Sequence, residues 1–151
     1  MNKATAERDM LQMIQELNEG RLDATGRWMI EKIMWKKWGC SEAVQQAIQA
    51  SSDKWLRGWT AWKGYGEEKD KEKAKRLWRE GIEVGDEDGW CHAELASWTS
   101  DLKMMQEAAK RSCPLAFRVL GVWHEWGNRG AAFDVSLARR YYVKAAELGW
   151  K

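Results

Sequence analysis

Four side chains of this 151-residue sequence have the donor chemistry of a zinc site: Cys91, His92, Cys113 and His124. Neighbouring positions on a helix point about 100° apart, so Cys91 and His92 are poorly arranged to share one ion. Buried cysteines in the small-residue seams between helices are the plainer reading. The sequence therefore calls for no metal and no cofactor. His92 and His124 are also the candidate general bases, yet neither has a Ser or Cys positioned as its nucleophile, since adjacent Cys91 points away from His92. A phosphate loop, a Gly-rich dinucleotide turn, a nucleophile elbow and an HExxH helix are all missing. A non-enzyme is expected, and an enzyme with an unrecognised site near His92 and His124 is the third of three functional readings.

A second chemistry is anion binding. Lys69, Lys71, Lys73, Lys75, Arg76 and Arg79 crowd one segment, and Arg139, Arg140 and Lys144 another. With 12 Trp in the chain, phosphate contacts combined with base stacking would make a nucleic-acid surface. Glu67, Glu68, Asp70, Glu72 and Glu80 interleave with the first cluster, which fits a solvated helix face laced by i,i+4 pairs. Lys+Arg 25 against Asp+Glu 23 leaves +2, so no net field demands a polyanion.

The elements that position these groups are helices. Apolar residues recur at helical spacing almost end to end, and no stretch alternates long enough for a strand. Met10, Met13, Ile14 and Leu17 form one stripe. Ile30, Ile33, Met34 and Trp38 form another, on a helix opened near Asp23 or Thr25. Ser41, Asp53, Asp70, Asp88, Asp101, Pro114 and Asp134 read as further helix starts. That gives about nine helices with short polar joints, and an all-α class. No apolar run approaches the ~20 residues of a membrane span. The charged start and the three cysteines at no framework spacing point to a reducing, cytoplasmic setting.

Two segments share a pattern. Asp70, Ala74, Leu77, Trp78, Gly81 and Gly85 are spaced as Asp134, Ala138, Tyr141, Tyr142, Ala145 and Gly149, and upstream Gly58 and Gly64 match Gly121 and Gly127. The aspartate caps the second helix, small residues permit close approach, large ones fill the seam and the final Gly stops the helix. Leu120-Gly121, Gly127, Asp134, Ala138, Tyr141-Tyr142 and Lys144 to Gly149 resemble a Sel1-like repeat, a relative of the tetratricopeptide repeat. Residues 53–86 resemble a more divergent copy, and Ala93 to Ala96 with Ala108-Ala109 a shortened one. The resemblance spans about residues 53–151 and implies a short α-solenoid of helical hairpins. Residues 1–52 then form an N-terminal helical extension packing on the repeats, within one domain.

The resemblance also implies a protein-binding role, as adaptor or inhibitor, with the first helix of each hairpin lining the concave face. Trp55, Trp59 and Trp62 share one stripe of such a helix and align with Arg118, Val122 and Glu125 of the last repeat. They are expected to be partly exposed in a groove and to bind a partner protein, with Arg118 and Glu125 contributing polar contacts across it. The rival arrangement is that the first three helices fold over this stripe and bury it. Trp28, Trp35 and Trp38 are the second candidate set. A nucleic-acid-binding protein is the alternative function, and no membrane partner is expected.

Overall fold

Asp and Ser side chains start most of the helices. In the computed structural model, which describes residues 2–150, nine α-helices and no strand occur among the described residues. They are α1 (Lys3–Asn18), α2 (Ala24–Lys36), α3 (Glu42–Ala50), α4 (Lys54–Lys63) and α5 (Lys71–Glu83), followed by α6 (Trp90–Thr99), α7 (Leu102–Lys110), α8 (Pro114–Trp126) and α9 (Val135–Glu147). Asp23, Asp53, Asp101 and Asp134 each accept the backbone N–H three residues on, at 2.8–3.0 Å. Asp70 does the same for α5, accepting from Lys73 at 2.9 Å. Gly64 and Gly127, at φ +70° and +60°, end α4 and α8 in the left-handed conformation that glycine adopts without strain. No helix among the described residues is long and apolar enough to cross a membrane.

One expected start is corrected. Asp88 does not cap α6. Gly89 occupies the N-cap position in the left-handed region, and the carboxylate of Asp86 accepts the N–H groups of Cys91 (3.1 Å) and His92 (2.8 Å). The turn carries Asp86 at φ +28°, which brings a carboxylate from further upstream onto the helix's orphan donors.

The chain divides into two compact units at Glu80/Gly81, inside α5. Both α2 and α3 pack directly on α4, so the N-terminal helices and α4 share one core. In the first unit α1 packs on α2 and α3, and Met10, Ile14, Ile30, Met34, Leu56 and Trp78 are enclosed. In the second unit α6 packs on α7, both contact α8, and α8 pairs with α9. Leu95, Met105, Leu120, Trp123 and Ala138 form its interior. Each enclosed large apolar side chain contributes about 1.5–3 kcal/mol.

The matched positions of the two repeat-like segments make matched contacts. A Cβ on Gly58 would collide with the indole Nε1, Cδ1 and Cε2 of Trp78, and one on Gly121 would stand 2.8–3.1 Å from ring atoms of Tyr142. In each hairpin a missing side chain on the first helix admits an aromatic ring from the second.

The capping geometry predicts that Asp70→Ala and Asp134→Ala each cost about 0.5–2 kcal/mol in urea denaturation. Asp88→Ala should stay within about 0.5 kcal/mol, as for an uninvolved surface position. Equal losses at all three positions would contradict the assignment.

Candidate functional site

The histidines and cysteines of the second unit do not converge on an ion. Among the described residues no three His, Cys, Asp or Glu side chains stand close enough to share one. His92 places Nδ1 2.6 Å from Asp86 Oδ2, with both side chains almost enclosed. The backbone carbonyls of Gly85 and Asp86 accept from the Arg111 guanidinium at 3.0 Å each. Asp86 thus caps α6 and orients His92 at once, while Arg111 holds the turn. His124 donates from Nδ1 to the Ala132 carbonyl at 2.8 Å and stacks on Tyr141, with ring centroids 5.7 Å apart. Cys91 and Cys113 are buried and Cys40 is exposed, and no disulfide joins any of the three. Burial pushes the Cys113 thiol up to about 12, so at neutral pH it stays protonated rather than forming a nucleophilic thiolate.

The expected aromatic groove is corrected. Trp55 is 2% exposed and Trp59 5%, so both belong to the core of the first unit. The cause is the rival arrangement, helices covering the stripe. Arg27 of α2 lies over the Trp55 ring, 4.7 Å from its centroid, and reaches Asp53 at 3.7 Å, which itself caps α4. On the other side Trp78 donates from Nε1 to the Trp55 carbonyl at 3.3 Å and meets Trp59 edge-on, with centroids 6.0 Å apart. Trp62 alone of the three is half-buried, tilted against Trp78 at 5.8 Å. Arg118 and Glu125 lie in the second unit, whereas the three tryptophans lie in the first. Arg118 is exposed, and the Glu125 carboxylate accepts from the Tyr142 hydroxyl at 3.3 Å, a tie within its own hairpin.

The second candidate set divides as well. Trp28 is half-buried, with the Lys32 ammonium 5.0 Å over its ring. Trp38 is half-buried, and its carbonyl accepts the Tyr65 hydroxyl at 2.5 Å. Trp35 is 66% exposed.

Trp35 and Trp62 come together at one place. They flank a recess of about 310 Å³ floored by Met34, whose other lining residues are Lys37, Lys63, Lys69 and Lys71. Lys63 lies over the ring of Trp35, and Lys71 lies 5.0 Å from the centroid of Trp62. Such contacts hold an ammonium against an indole face for about 0.5–1 kcal/mol at exposed sites. The recess draws on all three sequence-level lists: Trp62 from the first tryptophan set, Trp35 from the second, and Lys69 and Lys71 from the basic cluster. Lys37 and Lys63 were not among the candidates, although each stands next to a tryptophan, in Lys37-Trp38 and Trp62-Lys63. Of the rest of the α5 basic cluster, Lys73 pairs with Glu67 at 2.8 Å and Lys75 with Glu72 at 3.6 Å, while Arg76 and Arg79 are exposed. Arg139, Arg140 and Lys144 are exposed on α9.

No protein-family model, no curated protein and no solved structure matches this chain.

The enclosure of Trp59 predicts that Trp59→Ala costs about 3–5 kcal/mol of folding stability. Urea denaturation followed by circular dichroism checks this. A loss below about 1 kcal/mol would return the residue to the surface.

Proposed function

We propose that the chain is a protein-binding module, an adaptor or inhibitor assembled from Sel1-like helical hairpins, whose binding face is the Trp35–Trp62 recess. The observation that carries the reading is the large exposed indole of Trp35 beside half-buried Trp62 in a lysine-lined recess. Tryptophan is enriched among interface residues that dominate binding, because it removes a large rigid surface from water with little side-chain entropy to lose. The matched Gly58–Trp78 and Gly121–Tyr142 contacts support the hairpin-repeat part of the proposal. The buried Asp86–His92 pair is engaged in capping α6, which supports a structural role over a catalytic one. Three cysteines outside any disulfide fit a reducing compartment such as the cytoplasm.

The test is Trp35→Ala. Affinity capture from the native host, with wild-type and variant chains as bait, should retain a protein on the first and lose it on the second. A hot-spot tryptophan lost in this way costs about 2 kcal/mol or more of binding. Thermal melting should stay unchanged, since the side chain is exposed. Identical captured proteins on both baits would overturn the reading.

A further inference from the structure

Resting on the reading of the recess as the binding face, we propose that it recognises an acidic peptide segment, taking Asp or Glu side chains between its lysines and an apolar side chain against Trp35. Three stretches of chain supply the cations. Lys37 follows α2, Lys63 ends α4, and Lys69 and Lys71 lie at the start of α5. No acidic side chain is among the residues that line the recess. Two of the acids nearest in sequence are engaged elsewhere, and exposed Glu68 adjoins Lys69 without lining the recess. Glu67 accepts from Lys73 Nζ at 2.8 Å and from the Thr60 hydroxyl at 3.2 Å, and the Asp70 carboxylate accepts the Lys73 N–H. The pocket is therefore locally cationic on a chain whose net charge is only +2, and charge complementarity selects an anion.

The arrangement of the rings selects which anion. Lys63 and Lys71 cover faces of Trp35 and Trp62. A nucleobase stacking on those faces would have to displace the ammonium groups, whereas a carboxylate binds them where they stand. Further along α5, Lys73 and Lys75 are held by Glu67 and Glu72, and Lys54 of α4 by Glu80 at 3.2 Å, while Arg76 and Arg79 are exposed outside the recess lining. A recess of about 310 Å³ takes one or two side chains, which fits a short peptide motif. The exposed, apolar indole of Trp35 at the rim adds a contact that a purely ionic ligand would not use.

The experiment is fluorescence anisotropy with the full chain and three labelled probes: a short peptide of alternating Asp and Glu around one Leu, its Asn/Gln counterpart, and single-stranded oligo-dT. The acidic peptide should bind, more weakly as salt rises, while the neutral peptide should not. The double variant Lys69→Gln/Lys71→Gln removes two exposed cations and should weaken the acidic peptide by about tenfold or more with unchanged melting. Equal binding of the acidic and neutral peptides overturns the inference, as does oligo-dT binding more tightly than the acidic peptide. Absence of acidic-peptide binding up to about 1 mM, the weak end of specific affinities, also overturns it. If Trp35→Ala still abolishes capture of a host protein in that case, the binding-module reading stands and only the acidic specificity falls.

Discussion

The indole of Trp78 can lie against α4 only because residue 58 carries no side chain. A Cβ at that position would occupy the space of Nε1 and Cδ1. Once seated, the ring donates to the Trp55 carbonyl, meets Trp59 edge-on and supports Trp62 from beneath. An aromatic side chain of this size removes about 150–250 Å² from water, so this seam is a principal reason that α5 folds back on α4. The position of Trp62, and with it one wall of the lysine-lined recess, follows from the seam. The second unit repeats the device with Tyr142 on Gly121, more loosely and with a hydroxyl tied to Glu125.

The chain uses tryptophan in two distinct ways. Trp55, Trp59 and Trp78 are interior groups, each set against another ring or a backbone carbonyl. Trp35 and Trp62 face outward and carry lysines on their rings. Ammonium groups over indoles keep such surfaces hydrated and discourage self-association through bare aromatic patches.

Much of the fold was legible in the sequence because its signals are local. Asp70 and Asp134 cap their helices, Gly64 and Gly127 stop theirs, and the spacing of Gly58 to Trp78 matches that of Gly121 to Tyr142 closely enough to bring out the paired seams. The fate of the Trp55–Trp59 stripe was not legible. Periodicity shows that a helix has an apolar face, but not which neighbour covers it. The covering group is Arg27, from a distant helix, and its guanidinium is part of the lid on Trp55. Asp86 was missed for a related reason. A capping carboxylate is sought directly before the helix, where Asp88 stands, and the left-handed turn at Asp86 brings a more distant carboxylate to the donors instead. The recess joins Met34, Trp35 and Lys37 to Trp62, Lys63, Lys69 and Lys71, two stretches with α3 between them, so no single linear motif announces it.

The dependence of α4–α5 packing on the Gly58–Trp78 contact is measured most directly by a double-mutant cycle in urea. Gly58→Ala in the native background should cost about 1–3 kcal/mol, the usual penalty of overpacking an enclosed site. In a Trp78→Leu background, where the smaller side chain leaves room for a Cβ, the same change should cost at least about 1 kcal/mol less. That difference is a coupling energy within the range found for residues in contact. Additive effects, agreeing within about 0.5 kcal/mol, would contradict the claim that the absent side chain at residue 58 is what seats Trp78.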